Sequence, residues 1–150
     1  MAKFLIKHKT TGKFVHLQPG GMNNDNTKLL FCNEPQDDAQ FTFEPVDGVW
    51  GYLKHISSGK YVRPYGAPER PEDFVKLVIH QEATKLALFA IDQINHWLIH
   101  KDGKYVHASS CLNDPDDSTP LALHGTTHGN MTFLFVSPEK KDQEVFPKWG

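Results

Sequence analysis

Short apolar runs alternate with polar, turn-forming stretches along the whole chain, and the same order of runs occurs three times. The runs are short, rich in Val, Ile, Leu and aromatic residues, and bounded by Gly, Pro, Asn and Asp, a pattern typical of β-strands. The most helix-like stretch is Glu82–Leu88, where we expect a loop with at most one helical or 3₁₀ turn. The pattern therefore predicts an all-β protein.

Two independent landmarks define the repeats. The word Gly-Lys-Phe/Tyr-Val occurs with spacings of 47 and 44 residues, beginning at Gly12, Gly59 and Gly103. A second apolar run recurs with spacings of 48 and 44 residues, beginning at Lys28, Lys76 and Pro120. Because the spacings agree, we divide the chain into repeats over residues 4–48, 49–93 and 94–137, with a charged tail over 138–150.

Three copies of a four-strand unit predict twelve strands, and their compact arrangement is a β-trefoil, a six-stranded barrel capped by three hairpins. One unit cannot bury its own apolar face, so the three units must share a core. The Gly of each repeated word follows a turn and is expected to have positive φ. The predicted core positions are Leu5/Leu53/Leu98, Val15/Val62/Val106 and Phe41/Phe89/Phe133, and Val145, Phe146 and Trp149 of the tail are expected to dock on the barrel.

Composition narrows the class of protein. The 150 residues suffice for one domain with a buried core, and 39% of them are hydrophobic. A net charge of −2 without a basic cluster argues against nucleic-acid binding. No run has the length of a membrane span and no secretory signal is apparent, so we expect a cytoplasmic protein or one released without a signal peptide. Cys32 and Cys111 occupy non-equivalent positions and are expected to be free thiols.

Several short segments of the chain resemble the sequences of one lectin family. The segments Phe4–Lys9, Trp50–His55, Ile99–Lys101 and Phe133–Pro138 are similar to the mussel galactose/N-acetylgalactosamine-binding lectins, the mytilectins, and the likeness spans essentially the whole chain. The resemblance implies a β-trefoil lectin. We expect it to bind terminal galactose/N-acetylgalactosamine-type glycans of glycoproteins or glycolipids at several weak sites and therefore to agglutinate cells, and we expect no cofactor. The resemblance leaves oligomerisation open, because Gln93–His96 lacks the exposed aromatic residues through which family members dimerise.

The resemblance also places the candidate sugar-binding residues. The family pattern has His-Pro-x-Gly-Gly after the Gly-Lys hairpin and His-x-Asp-x-His after the second apolar run, and each repeat here keeps part of it. The candidates in repeat 1 are His16, Gly20, Gly21, Glu34 and Gln36. Those in repeat 2 are Arg63, Tyr65, Gly66, His80 and Glu82. Those in repeat 3 are His107, His124 and His128.

The chemistry of a galactose-type ligand shows what the departures mean. A carboxylate accepts from two hydroxyls at once, an imidazole donates or accepts, and Gly lets the sugar ring approach the backbone. Glu34 and Glu82 keep an acceptor displaced by about one methylene, whereas Thr126 has no charged acceptor. Repeat 2 is therefore the best altered site. The alternative is a trefoil whose sites have drifted to another glycan, such as an acidic one at Arg63, or to protein interaction.

Other recurring residues favour structural roles. His8, His55 and His100 each end a first strand and are interpreted as framework residues, while Lys13, Lys60 and Lys104 follow a turn Gly and are expected to be solvated. The His-x3-His spacing in repeat 3 is only weakly compatible with zinc when it lies on a loop. No nucleophile–base pair or carboxylate pair occurs in a predicted pocket, so we expect no catalytic residues, no metal and no enzyme activity.

Overall fold

The computed structural model describes residues 3–19, 24–66, 70–108, 114–126 and 131–145. Its twelve strands form one antiparallel sheet. The strands of repeat 1 are β1 Phe4–His8, β2 Phe14–Leu17, β3 Leu29–Cys32 and β4 Gln40–Asp47. Repeat 2 contains β5 Trp50–His55, β6 Lys60–Pro64, β7 Leu77–His80 and β8 Leu88–Asp92. Repeat 3 contains β9 Trp97–His100, β10 Tyr105–Ala108, β11 Leu121–His124 and β12 Phe133–Val136. The all-β prediction is confirmed.

Two short 3₁₀ turns precede the fourth strands of repeats 1 and 2, over Asp37–Ala39 and Lys85–Ala87. The second lies inside the stretch for which the sequence allowed one helical turn. Thr84 caps it, because its hydroxyl oxygen accepts from the backbone N–H of Leu86. Among the described residues, no helix is long and apolar enough to cross a membrane.

Six strands make the barrel wall and six make the cap. The first and fourth strands of each repeat pair around the wall in the order β12-β1-β4-β5-β8-β9, whereas the cap consists of the hairpins β2–β3, β6–β7 and β10–β11. The glycines at the first-to-second-strand turns, Gly12, Gly59 and Gly103, have φ of 76°, 71° and 101°, as expected.

The wall is not closed by a continuous ladder. Between β9 and β12 there is no paired ladder among the described residues, where the isolated bridge Trp97↔Thr132 and a hydrogen bond from the Phe133 N–H to the His96 carbonyl connect them. Farther along β12, the tail takes the place of a neighbouring strand, since Val136 bridges Glu144 and the Val145 N–H donates to the Phe135 carbonyl at 2.6 Å. The expected docking of Val145 is thus confirmed. Phe146 and Trp149 lie outside the described residues.

One apolar core joins the three repeats. The Val set and the Phe set predicted from the repeats are almost completely buried in it, as are Leu53 and Leu98. The predicted equivalence of Leu5 with these two leucines is wrong. When the buried histidines that end the first strands are aligned, Ile6 is the equivalent of Leu53 and Leu98, and it lies in the shared core. Leu5 lies in a second, smaller cluster with Phe14, Ala39 and Val136. Successive strand residues face opposite sides, so a shift of one position exchanges the two clusters.

Candidate functional site

The long loop between the second and third strands of each repeat ends against the next repeat. In repeat 1 the N–H of Asn26 donates to the Ile79 carbonyl at 2.8 Å, and the Ile79 N–H donates back to the Thr27 carbonyl at 3.0 Å. Repeat 2 reaches repeat 3 in the same way, through Phe74 and Val75 against Leu123, with distances of 2.7 and 3.0 Å. In each loop, these backbone pairs place the residue just before Asn26 or Phe74 beside a candidate histidine of the next repeat.

That residue is an aspartate. Asp25 accepts from the Lys60 ammonium group at 2.8 Å and from the Gln81 N–H at 3.1 Å, and its other oxygen lies 3.5 Å from Nε2 of His80. The ring of His80 is fixed from its opposite nitrogen, because Nδ1 accepts from the Glu82 N–H at 3.1 Å. We call this group the repeat 2 cluster, after the repeat that supplies the lysine and the histidine.

Repeat 3 has the same arrangement. Asp73 accepts from Lys104 at 3.0 Å and from the Gly125 N–H at 3.0 Å, and it lies 3.7 Å from Nε2 of His124. Nδ1 of His124 accepts from the N–H of Thr126 at 3.1 Å. The repeat 3 cluster therefore consists of Asp73, Lys104, His124 and the Gly125 N–H, and it again crosses a repeat boundary.

Repeat 1 has a reduced version of the cluster. Lys13 contacts Asp117 of repeat 3 at 2.7 Å and the side-chain oxygen of Asn33 at 2.9 Å. Cys32 occupies the position that a histidine fills in the other two repeats. The repeat 1 cluster thus keeps the aspartate and the lysine but has a half-buried thiol in place of the imidazole.

The charges of these clusters reinforce one another. The hydrogen bond from Lys60 lowers the pKa of Asp25 below its usual 3.8, with further help from the Gln81 N–H and the nearby His80. The pKa of Asp73 is lowered in the same way by Lys104 and the Gly125 N–H. Both carboxylates are therefore ionised at neutral pH, while their side chains keep 30% and 46% exposure. In each carboxylate Oδ1 accepts from the lysine and the backbone N–H, and Oδ2 keeps acceptor capacity for a ligand hydroxyl.

One sequence-based expectation needs correction here. The lysines of the repeated word are not solvated, since their side chains are only 18–25% exposed and each pairs with an aspartate. The sequence groups its candidate binding residues repeat by repeat, whereas each cluster takes its carboxylate from the preceding repeat. Sequence reasoning missed these aspartates although a signal exists, because Asp25, Asp73 and Asp117 have the 48- and 44-residue spacings of the second apolar run.

The two candidate segments of a repeat, one at the end of its second strand and one after its third strand, contact each other. Nη1 of Arg63 donates to the Glu82 carbonyl at 3.4 Å, and Nε2 of His107, in the equivalent strand position, donates to the Thr126 carbonyl at 2.8 Å. His16 instead lies 3.4 Å from the Asp38 carboxylate. These residues brace the segment after the third strand of their own repeat, and His107 is completely buried.

The remaining candidates differ in their surroundings. Tyr65 is 58% exposed at the end of β6, beside Gly66, whose φ is 76°. Exposed positions are also occupied by Glu34, Gln36 and Glu82. Gly20, Gly21 and His128 lie outside the described residues, as does Cys111. Among the described residues no group of three or more His, Cys, Asp or Glu side chains is arranged to hold a metal ion.

The recurring strand-end histidines are framework residues, as predicted. His8, His55 and His100 are at most 1% exposed. Nε2 of His55 donates to the Asp38 carbonyl and Nε2 of His100 to the Leu86 carbonyl, both at 2.6 Å. These two bonds tie each 3₁₀ turn to the first strand of the next repeat. Burial lowers the pKa of His55.

Comparison with known proteins identifies the family. The family described as alpha-D-galactose-binding lectin (MytiLec) matches residues 4–138. The chain belongs to this lectin family. It is 45% identical to a galactose-binding lectin of Mytilus californianus and 43% identical to one of Crenomytilus grayanus, in each case over 97% of both chains. The designed threefold symmetric protein ThreeFoil has a TM-score of 0.79 at 13% identity and covers 90% of this chain and 98% of its own.

Family membership confirms the resemblance read from the sequence words, and the ThreeFoil likeness agrees with the β-trefoil prediction. Family membership also confirms the expectation of a non-catalytic protein, because the family is one of carbohydrate-binding lectins. It does not favour the alternative of a drifted trefoil with an unrelated ligand or a protein-interaction role.

Proposed function

We propose that this protein is a lectin that binds terminal galactose and N-acetylgalactosamine residues of glycoproteins or glycolipids reversibly at several sites. The observation that carries the proposal is the match to an alpha-D-galactose-binding lectin family over residues 4–138. The three inter-repeat clusters add the required chemistry, namely carboxylate acceptors held in place by lysines at the surface of a rigid barrel.

Several sites on one body gain strength together. A shallow site that contacts one sugar binds weakly, but two or three sites that engage the same branched glycan or cell surface raise the overall affinity through effective concentration. We therefore expect agglutination of cells that display terminal galactose, and a preference for clustered over single sugars.

The test is retention on a galactose-bearing resin followed by elution with free galactose, with glucose as the control sugar. N-acetylgalactosamine is then used as a second eluent. A variant in which Asp25, Asp73 and Asp117 are all changed to Asn should elute much earlier, whereas Asp47→Asn, which changes an exposed strand carboxylate outside the clusters, should elute like the wild type. A protein that passes through the resin unretarded would refute the proposed function.

A further inference from the structure

Phe74 has a conformation that a phenylalanine rarely adopts. Its φ is 70°, in the left-handed region that suits Gly, Asn and Asp and is unfavourable for bulky side chains. Its side chain is nevertheless 48% exposed, so the ring is not held there by burial in the core. An unfavourable backbone conformation that presents an apolar ring to solvent points to a functional role for that ring.

The equivalent residue of repeat 1 gives a direct comparison. Asn26 has a φ of 71°, and its N–H donates to the Ile79 carbonyl just as the Phe74 N–H donates to the Leu123 carbonyl. Both follow the aspartate of a cluster, and both precede the residue that returns the backbone pairing. The two positions thus share their φ and their backbone hydrogen bonds, while their side chains differ.

The Phe74 ring borders the repeat 3 cluster. It stands edge-to-face against His124, with ring centroids 4.8 Å apart and planes at 61°. With its neighbour Asp73 it lines a surface pocket of about 460 Å³, whose lining also includes Arg70, Glu72 and Val75. An exposed aromatic face therefore lies beside an ionised carboxylate that Lys104 and the Gly125 N–H hold in place.

We propose that Phe74 is an aromatic platform on which the repeat 3 cluster binds a galactoside, with Asp73 accepting hydrogen bonds from the sugar hydroxyls. This inference rests on the proposed function and gives one of the three sites a recognition element that the repeat 2 cluster lacks. Repeat 3, which has no carboxylate in its own words, receives both the acceptor and the platform from the loop of repeat 2.

The two groups suit the two sides of the ligand. The axial 4-hydroxyl of a galactopyranose leaves a continuous patch of C–H groups on one face of the ring, and such a patch packs flat on an aromatic ring. Oδ1 of Asp73 already accepts from Lys104 and the Gly125 N–H, so hydroxyls at the ring edge can donate to Oδ2, the oxygen on the His124 side. In a glucopyranoside the equatorial 4-hydroxyl changes the direction of the donor, so the platform and the acceptor cannot be satisfied in the same pose.

The experiment is a titration of the full chain with methyl β-galactoside, followed by amide NMR. The Gly125 N–H donates to Asp73 and the Gln81 N–H donates to Asp25, so the two signals report separately on the repeat 3 and repeat 2 clusters. The variant is Phe74→Asn, which installs the side chain that already occupies this conformation in repeat 1. Because Asn tolerates positive φ better than Phe, the thermal unfolding midpoint should stay the same or rise.

We expect Phe74→Asn to weaken the binding reported by Gly125 by about tenfold, on the scale expected for loss of an aromatic contact, and to leave that reported by Gln81 unchanged. An unchanged Gly125 response overturns the platform while the proposed function stands. Equal weakening at both amides also overturns it, since the effect would then not be local. If the wild-type protein responds to the galactoside at neither amide but is retained on the galactose resin, the platform is overturned and the proposed function stands. If it is not retained either, both fail.

The reciprocal variant Asn26→Phe tests the platform as a gain. It should tighten galactoside binding at the Gln81 reporter and lower the unfolding midpoint, because it places a phenylalanine at positive φ in the repeat 2 cluster. An unchanged or weaker Gln81 response contradicts the proposal. Methyl β-glucoside is the control ligand, and it should shift neither signal in any variant.

Discussion

Replacing Gly51 by Ala should destabilise the barrel through a steric clash. Gly51 lies in β5 opposite Pro45 of β4, and a Cβ built there would lie 2.5 Å from the Glu44 carbonyl oxygen and 2.6 Å from two ring carbons of Phe43. Ordinary contact begins at 3.4 Å, so the strands must separate or the ring must move by most of an ångström. Phe43 is 1% exposed in the shared core, which gives its ring little freedom to move.

We expect this substitution to lower the free energy of unfolding by about 2–3 kcal/mol, the upper range for overpacking of a core. For a chain of this size the unfolding midpoint should fall by about 5–10 °C. The free energy is measured by urea denaturation followed by tryptophan fluorescence, with the midpoint from a thermal scan.

Two further variants separate the clash from other causes. Gly48→Ala meets no atom within 4 Å and suffers only from its φ of 61°, so it should cost about 1 kcal/mol. Phe43→Leu removes the ring carbons that the new Cβ meets, so Gly51→Ala should cost about 1 kcal/mol less in that background. The reasoning is refuted if Gly51→Ala stays within about 0.5 kcal/mol of the wild type, or if the two substitutions are additive.

Three further results are expected. Because the pKa of Asp73 is lowered from 3.8, mainly by its hydrogen bond with Lys104, its ion pair stabilises the fold above about pH 3.8 and is lost as pH falls through the lowered value. The difference in melting temperature between wild type and Asp73→Asn should therefore shrink as pH falls below 3.8, and a constant difference would contradict this. Burial raises the pKa of Cys32 to about 11, so little of its thiol is ionised at neutral pH. Iodoacetamide should therefore label Cys32 much more slowly than it labels glutathione, as measured by peptide mapping. Equal labelling rates would be evidence against a shielded thiol. His55, whose pKa is lowered by burial, should titrate below 6.5 by NMR, and a midpoint at or above that value would show that it is not buried as a neutral ring.

The strands were predicted well from the repeated motifs, because each motif lies in one short segment of the chain and includes the glycine of its own turn. Val15, Val62 and Val106 follow the Gly-Lys hairpin directly, so one local pattern places all three in the core. Ile6 was harder to predict, because β1 carries both Leu5 and Ile6, and only the pairing of strands decides which one faces the shared core.

The candidate site was predicted only in part. His80 and His124 were found because they follow the second apolar run, and the tertiary structure shows what their rings contact. The partners of those rings, Asp25 and Asp73, lie 55 and 51 residues earlier, in loops without a local pattern that suggests a function. Their regular spacing was visible in the sequence, but its meaning required knowing that each loop ends on the next repeat.

The sequence by itself determined the repeat, the strands, the trefoil and the lectin family, because each depends on words that recur along the chain and on apolar residues that one unit cannot bury alone. Only the tertiary structure decided which residues meet across a repeat boundary. Backbone pairing between one repeat's loop and the next repeat's strand brings Asp73 and Phe74 to Lys104 and His124. Contacts across a repeat boundary depend on how the three units close around their shared core, and a single repeat does not encode them.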